Sequence, residues 1–286
     1  MNVNFFNFSE EPVSGIVRVA DFIVEGNEGK PVLVEDNADI IPKFSASSWI
    51  TLPYDRVTIA AQDKVTIQYT LQVPADARPG GRYVSVYFEP TQNITTNQTN
   101  GQEQARAAIA PRIAQLIYIR IPGDATEGAA VTRFFSPSFM EYGPIQVESE
   151  ILNRSDYHIR PKGMITMFDL AGNIVAQAKL AEYNIFPDVS RSYKNDLGKK
   201  WLFGRYKLTL AAAYGEKGQS LSRSMYVFVV PWRVITIIVL ALFLILVVGK
   251  KIYDRFIRHE EILVAELEKE KEEIELLKEK IQQRHD

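Results

Sequence analysis

The chain has 286 residues, 46% of them hydrophobic, which is long enough for two domains of roughly 100 to 120 residues and an additional segment. Its formal net charge of −2 at pH 7 argues against a dedicated nucleic-acid-binding protein. The absence of cysteine excludes disulfides, thiolate catalysis and thiolate metal sites, and His158, His259 and His285 are too scattered to suggest a histidine metal cluster.

The N-terminal part of the chain has an apolar period of two, which is typical of β-strands. Strands are predicted over residues 13–24, 57–59, 65–73, 83–88 and 115–121, with turns at 26–29, 60–63 and 79–81. In the last of these turns Gly80 follows Pro79 and can supply a positive φ. Short strands at this spacing, without a long amphipathic helix, predict an antiparallel immunoglobulin-like sandwich over residues 1–122.

Residues 91–104 are almost free of apolar side chains. Such a segment cannot bury enough surface to offset the entropy of ordering, so a mobile loop between two strands is predicted. A ligand-contacting loop is the alternative.

A Pro-Gly pair at 122–123 ends the first set of strands and marks a domain boundary. A second set is predicted over residues 145–152, 163–169, 206–211 and 224–230, with turns at 153–156, 170–173 and 214–218. This pattern predicts a second immunoglobulin-like sandwich over residues 123–230, so the fold class is mainly β.

Residues 231–251 are predicted to contain a transmembrane helix with its flanks. The run at 234–249, which includes Val234, Leu240, Leu244 and Gly249, carries no charge. Sixteen helical residues span about 24 Å, slightly less than a hydrocarbon core of ~30 Å. Trp232 on one side and Lys250 and Lys251 on the other can supply the remainder as interfacial and snorkelling residues. A buried core helix or a buried pair of strands is the alternative.

Basic residues predict the orientation of this helix. Lys250, Lys251, Arg255 and Arg258 lie on its C-terminal side, whereas Arg233 alone lies on the other. The positive-inside rule then predicts a single-pass cell-membrane protein with its N-terminal region extracellular and its tail cytoplasmic. Export would require a signal peptide, which does not precede the first strand, so the native N-terminus is expected to extend beyond Met1.

The tail, residues 252–286, is rich in Glu and Lys and lacks Gly and Pro, which predicts a helix. Apolar residues recur at heptad positions around the polar Glu270, namely Phe256, Leu263, Leu267, Ile274, Leu277 and Ile281. Weak parallel self-association as a short coiled coil and a solvated single helix both fit this pattern.

Several short motifs, taken in order, resemble the WxL-interacting cell-surface proteins of bacteria. Ser48-Trp49-Ile50, residues 73–83 with Pro74, Pro79, Gly80 and Tyr83, and residues 88–90 resemble the first domain of that family. The resemblance to its second, membrane-proximal domain rests on His158, Pro161, Gly163, Gly204, Tyr206, Gly215 and residues 228–232. It extends over about residues 5–250.

The resemblance implies two immunoglobulin-like domains, the first associated with peptidoglycan and the second with protein or host-surface partners. Two features depart from the family. The opening strand and signal peptide expected before Asn4 are absent, so the first sandwich is predicted to be one strand short, and the tail is a long charged helix rather than a short basic segment.

The motif residues also have structural interpretations that need no family. Trp49 is interpreted as a core or edge-packing residue, because sandwiches use large aromatic side chains to fill the space between sheets. His158 follows a turn and is interpreted as a surface or hydrogen-bonding residue rather than a metal ligand.

No catalytic motif, cofactor-binding loop or metal-ligand spacing is present, so a non-enzymatic protein without cofactors is predicted. The leading hypothesis is a membrane-anchored binding or adhesion protein that engages cell-wall polymer or surface proteins. The alternative is a structural or scaffold component of an envelope assembly, oligomerising through its tail. An exported enzyme would require a deep polar pocket with convergent ionisable groups.

Overall fold

The structure, a computed structural model, describes residues 1–34, 43–91 and 112–282. The predicted mobile loop at 91–104 lies outside the described residues from position 92 onward. The fold is mainly β, with two immunoglobulin-like antiparallel sandwiches followed by one helix near the C-terminus, as the sequence predicts.

The described part of the chain contains seventeen strands, one short 3-10 turn (Ser47–Trp49) and one α-helix. In chain order, the strands of the first half are β1 (Asn2–Phe6), β2 (Val13–Glu25), β3 (Lys30–Leu33), β4 (Ile50–Thr51), β5 (Arg56–Ile59), β6 (Lys64–Gln68), β7 (Thr70–Leu71), β8 (Gly80–Pro90) and β9 (Ile113–Ile121). Those of the second half are β10 (Ala129–Phe135), β11 (Phe139–Met140), β12 (Ile145–Asn153), β13 (Lys162–Phe168), β14 (Ile174–Lys179), β15 (Ser190–Leu197), β16 (Gly204–Tyr214) and β17 (Gln219–Val229).

The first sandwich is built around the long strand β2, which pairs with β3, β5 and β8, while β8 in turn pairs with β9. Two small sheets, β1-β6 and β4-β7, complete it. Alternation determines which side chains turn inward: in β1, Val3 and Phe5 are buried and their neighbours are exposed. The described part of this core comprises Val3, Phe5, Val17, Ala46, Ile50, Ile59, Ile67, Tyr69, Val84, Val86 and Phe88.

The second sandwich packs a three-stranded sheet, β10-β12-β15, against a five-stranded sheet, β11-β17-β16-β13-β14. Only the short β11–β17 pair is parallel among its described pairings. In β12 the buried residues Ile145, Val147 and Ile151 occupy alternate positions, so one face of the strand lies on the core. Twenty buried residues form this core, including Ile165, Met167, Leu180, Leu208, Leu210 and Val227.

The helix α1 (Trp232–Gln282) begins three residues after the end of β17. Its first 22 residues, Trp232–Tyr253, contain an 18-residue stretch with a mean hydropathy of 2.7 that is not buried against either sandwich. At 1.5 Å per residue the 22 residues, which include the flanking Trp232, Lys250 and Lys251, are about 33 Å long, which is enough to cross a bilayer. Within the described residues it is the one helix long and apolar enough to do so.

Two groups of elements differ from the sequence-based expectation. The first sandwich was predicted to lack its opening strand, but β1 is present and pairs along its length with β6. Six further strands were also not predicted, namely β3, β4, β10, β11, β14 and β15. These strands were missed because pairing to a neighbour, rather than their own apolar period, stabilises them.

Candidate functional site

The strand β9 is the end strand of the five-stranded sheet of the first sandwich. One side pairs with β8 along its whole length, from Ile113 opposite Phe88 to Ile121 opposite Gly80. Its other side pairs with no strand of residues 1–34, 43–91 or 112–282. We call this side the free edge of β9. Its backbone N–H and C=O groups are placed to extend the sheet by one strand.

Both faces of β9 are packed, which holds the strand in place. Ile117 and Ile119 lie on the core of the first sandwich. Leu116, on the opposite face, contacts a second apolar cluster that contains Tyr83. Towards its start the strand is open, and Ile113 is 55% exposed. The free edge therefore belongs to a strand that is packed over part of its length and has an accessible apolar end.

The end strands of the second sandwich have different surroundings. There β10 lies beside β17 and β14 lies beside β15, so three of the four end strands lie against the opposite sheet; the fourth is the two-residue β11. By contrast, the extensive contacts of β9 are with β8 alone among the described elements. The free edge of β9 is thus the most open long edge in the described part of the molecule.

Close to this edge, the two sandwiches meet at a junction built around Tyr83. The backbone N–H of His158 donates a hydrogen bond to the Tyr83 hydroxyl oxygen over 2.6 Å, and the His158 Nδ1 lies 3.2 Å from the same oxygen. Phe186 of the second sandwich packs edge-on against Tyr83, with 4.9 Å between ring centroids. Phe22, Phe44 and Tyr118 complete the aromatic cluster.

Burial in this cluster changes the acidity of its polar groups. Loss of solvent raises the pKa of Tyr83 well above its usual value, so its hydroxyl stays protonated. Burial, assisted by the charge of Arg120, lowers the pKa of His158, so its imidazole is neutral at pH 7. A neutral imidazole and a protonated phenol fit a packing role, because neither leaves a charge in the aromatic cluster.

The turn that precedes β8 also belongs to the junction. Gly80 has φ of +128°, and a Cβ atom there would lie 2.8 Å from the carbonyl oxygen of Asp156. The N–H of Gly81 donates to that same oxygen over 2.8 Å. Pro79 lies against Gly123, where the chain passes into the second sandwich. The fold therefore brings together four residues of the sequence motifs, Pro79, Gly80, Tyr83 and His158.

A polar group flanks the aromatic cluster. The guanidinium of Arg120 in β9 lies 3.3 Å from the ring centroid of Tyr157 and pairs with Glu216 at 3.6 Å. The Tyr157 hydroxyl donates to Glu127, and this hydrogen bond lowers the pKa of the Glu127 carboxyl. Burial is the main reason why the pKa of Tyr157 rises to about 12. These contacts connect the end of β9 to the second sandwich.

The remaining motif residues are dispersed. Trp49 is half-buried against the first core, with the Arg82 guanidinium 5.7 Å from its ring centroid, whereas Pro74 is exposed. Gly163 lets β13 approach β16, because a Cβ there would lie 2.2 Å from the Ala211 carbonyl oxygen. Pro161 and Tyr206 are buried in the second sandwich, while Gly204 and Gly215 begin and follow β16.

The predicted anchor residues all fall in α1. These are Trp232, Val234, Leu240, Leu244, Gly249, Lys250, Lys251, Arg255 and Arg258. On the sandwich side, Arg233 pairs with Glu141 through Nε and Oε2 at 3.4 Å.

A surface cleft of about 400 Å³ lies on the second sandwich and includes Asp169, Arg205, Lys207 and Tyr226. Hydrogen bonds from Asn173 lower the pKa of the Asp169 carboxyl, and the Arg205 guanidinium lies 4.1 Å from the Tyr226 ring centroid. Within the described ranges, no group of three or more His, Asp or Glu side chains could hold a metal ion.

Sequence reasoning predicted a strand at 115–121 but not its position at the end of a sheet. A strand's partners are not encoded in its own alternation, so no local signal identifies the free edge. Phe22 and Phe186 were likewise not singled out, because an aromatic residue at a junction between domains has the same local pattern as one in a core.

No family model matches the chain, and no curated protein matches it. Solved structures do match over most of its length. The class 5 fimbriae chaperone CfaA has a TM-score of 0.37 at 17% identity, over 78% of this chain and 90% of that one. A structure of a chaperone–tip adhesin complex of CFA/I fimbriae has a TM-score of 0.38 at 16% identity, also over 78% of this chain and 90% of that one. The Pseudomonas aeruginosa CupB2 chaperone has a TM-score of 0.33 at 6% identity, over 79% of this chain and 92% of that one. At such scores no function is transferred.

Proposed function

We propose that the chain is a membrane-anchored surface protein whose first sandwich binds an extended segment of a protein partner along the free edge of β9. The observation that carries the proposal is a nine-residue strand paired on one side only within the described chain. A partner segment could add to it as a further strand, with main-chain hydrogen bonds supplying affinity and alternate side chains supplying register.

The packing of β9 supports this mode of binding. Nine residues of strand offer an edge of about 30 Å. Because Ile117 and Ile119 are packed on the core and Arg120 contacts Tyr157, the edge is held in an extended conformation before a partner arrives. Preorganisation of this kind lowers the entropy lost on binding. The exposed Ile113 provides an apolar contact at one end.

Photo-crosslinking in cells that make the protein tests this proposal. A benzoylphenylalanine at position 113 is expected to give an adduct with a second protein, because that position lies at the open end of β9. The matched control places the same group at position 174, the start of β14, where Ile174 is 59% exposed. Adduct at 113 and none at 174 is the expected result. Equal labelling at both positions, or none at either, contradicts the proposal.

A charge at the edge provides a second test. Ile113→Lys should reduce crosslinking from a probe at position 115 by tenfold or more, because lysine on an edge strand disfavours strand addition. Ile174→Lys, a matched change on an exposed isoleucine of the second sandwich, should leave it unchanged. If both variants behave like the parent protein, the partner does not use this edge.

The proposed location is the cell membrane, with both sandwiches outside and the tail inside. The apolar helix Trp232–Tyr253 and the basic residues that follow it support this orientation. Protease added to intact cells should digest the first 230 residues and spare the tail. The reverse pattern would mean that the topology is inverted.

The family resemblance adds peptidoglycan as a ligand of the first sandwich, and this stays a prediction. Full-length protein in nanodiscs should sediment with purified, insoluble peptidoglycan, while empty nanodiscs should stay in solution. If Ile113→Lys sediments equally well, the polymer and the protein partner use different surfaces. If the parent protein stays in solution, the resemblance does not extend to this activity.

A second candidate, an oligomeric scaffold of the envelope, is favoured by one feature of the tail. The helix α1 continues without a break to Gln282, and Leu267 and Ile274 are exposed seven residues apart on it. Residues at this spacing share a heptad position. Amine crosslinking in membranes should then trap dimers of the full chain but not of a chain that ends at Arg258. Identical patterns would exclude self-association through the tail.

A further inference from the structure

The loop between β15 and β16, residues 198–203, lies at the end of the second sandwich from which α1 departs. Gly204, the first residue of β16, pairs with Val229, the last residue of β17. Trp232 begins α1 only three residues after Val229. The loop immediately precedes Gly204, so it lies beside the start of the apolar helix.

Two large aromatic side chains in this loop face solvent. Trp201 is 66% exposed and Phe203 is 70% exposed, whereas Leu202 between them is 9% exposed and belongs to the second core. The leucine holds the loop to the sandwich, and its neighbours project away from it. Two large exposed aromatic side chains only two residues apart are typical of a surface that contacts a membrane or another molecule.

Hydrogen bonds hold the aromatic residues in place. The Tyr206 hydroxyl accepts from the N–H of Phe203 over 3.2 Å and donates to its carbonyl oxygen over 3.1 Å. The N–H of Gly143 donates to the Lys200 carbonyl oxygen over 2.9 Å. The Trp201 ring packs edge-on against Tyr142, with centroids 5.3 Å apart. The exposure of the loop is therefore part of its folded conformation.

A short path of contacts connects the loop to the helix. Tyr142 packs on Trp201. The residue before it, Glu141, forms an ion pair with Arg233 in the first turn of α1. Trp232, also exposed, begins the apolar span. Trp201 and Trp232 thus belong to the same end of the molecule.

The charges of the loop favour a lipid surface over a protein as its partner. Lys199 and Lys200 are exposed and directly precede the aromatic pair. Aromatic rings prefer the boundary between headgroups and acyl chains, and lysines beside them attract lipid phosphates. In the turn between β13 and β14, at the same end, Leu170 adds another exposed apolar side chain.

We propose that residues 199–203 form a second membrane contact, in which Trp201 and Phe203 enter the lipid interface and Lys199 and Lys200 face its phosphates. The proposal rests on α1 being a membrane anchor. With two points of contact, the second sandwich would be held against the bilayer. Because the junction with the first sandwich lies at the opposite ends of β12 and β16, the free edge of β9 would be carried away from the lipid.

The three tryptophans of the chain allow a direct test. Full-length proteins that retain only Trp49, only Trp201 or only Trp232, with phenylalanine at the other two positions, are reconstituted into vesicles of plain or brominated phospholipid. Bromine quenches tryptophan on contact. Trp232 and Trp201 should each lose at least half of their fluorescence in brominated vesicles, while Trp49, in the first sandwich, should keep its intensity.

The outcomes separate this inference from the anchor on which it rests. If Trp232 is quenched and Trp201 is not, the anchor is supported and the second contact is wrong. If neither is quenched, the anchor itself fails. If Trp49 is quenched to the same extent, the protein lies flat on the vesicle and the proposed arrangement is overturned.

The role of the lysines has its own test. Lys199→Gln with Lys200→Gln should at least halve the quenching of Trp201 in brominated vesicles that contain anionic phosphatidylglycerol. The same pair should have little effect in purely zwitterionic vesicles. Equal quenching of the parent and the variant in anionic vesicles would show that the lysines do not contribute.

Discussion

The two sandwiches share a fold class but differ in how completely they are closed. The second has a core of twenty buried residues between two sheets, and its end strands β10, β14 and β15 each lie beside a strand of the opposite sheet. The first has eleven buried core residues in its described part, two of its sheets have only two strands each, and β9 has a free edge. The first sandwich therefore leaves backbone groups of β9 unpaired within the described chain, whereas most end strands of the second sandwich lie against the opposite sheet.

One turn, stabilised by an asparagine side chain, nevertheless occurs in both sandwiches. Asn7 follows β1 and Asn153 ends β12, and each side-chain oxygen accepts the N–H of the serine two residues later. Each side-chain amide donates to the carbonyl oxygen four residues later, and also to a carbonyl in a distant segment. The two sandwiches therefore stabilise one of their turns in the same way, although their sheets differ.

Core truncations should give the largest effects. Leu210→Ala in the second sandwich and Ile67→Ala in the first each remove a fully buried side chain, and each should cost about 2–5 kcal/mol of unfolding free energy. Hydrogen exchange measured by mass spectrometry should show lost protection mainly in the sandwich that carries the change. If Ile67→Ala increases hydrogen exchange equally in both sandwiches, they unfold as one unit and do not differ in stability.

Substitution of Asn7 or Asn153 should give the next-largest loss of unfolding free energy. Asn7→Ala and Asn153→Ala each remove a buried side chain whose amide donates to carbonyl oxygens and whose oxygen accepts a serine N–H, at an expected cost of about 2–3 kcal/mol. Similar decreases in thermal midpoint would show that the asparagine side chain contributes equally to the stability of the first and the second sandwich. Glu11→Ala is a control for Asn7, because the hydrogen bond involves only the backbone oxygen of that residue.

A change at the junction should have a smaller effect. Gly80→Ala forces alanine into a positive φ and places its Cβ against the Asp156 carbonyl, for about 2 kcal/mol of strain. Hydrogen exchange should increase at residues 80–83 and 156–158 together. Gly172→Ala, in a turn with positive φ where the Cβ meets open space, is the matched control and should affect only its own turn. Equal effects would mean that the junction is not closely packed at Gly80.

The smallest expected effect is a dependence on pH. Because burial lowers the pKa of His158 in the folded protein, the unfolded chain binds a proton more readily as the pH falls below about 6.5. Stability should therefore decrease between pH 7.5 and 5.5. Hydrogen bonds from Thr126 lower the pKa of the Asp156 carboxyl, so the stability that this carboxylate contributes is lost only at a pH below this window.

Thermal midpoints measured across that window should fall less for His158→Gln than for the parent protein. The variant keeps the backbone N–H that donates to the Tyr83 hydroxyl, so the comparison isolates the imidazole. If the two proteins lose stability in parallel, groups other than His158 carry the dependence.

From the sequence alone, the fold class, the core strands β2, β8, β12 and β16, and the apolar segment within α1 could be predicted, because period-two alternation and an uncharged apolar run are local properties of the chain. Tyr83 and His158 could also be singled out as motif residues.

Only the tertiary structure placed Tyr83 against His158, made β9 the end of its sheet, and put Trp201 beside the start of α1. Each of these facts depends on which distant segments lie next to each other. Alternation determines which face of a strand is buried, but strand pairing and the packing of two domains are settled by the summed contacts of residues far apart in the chain.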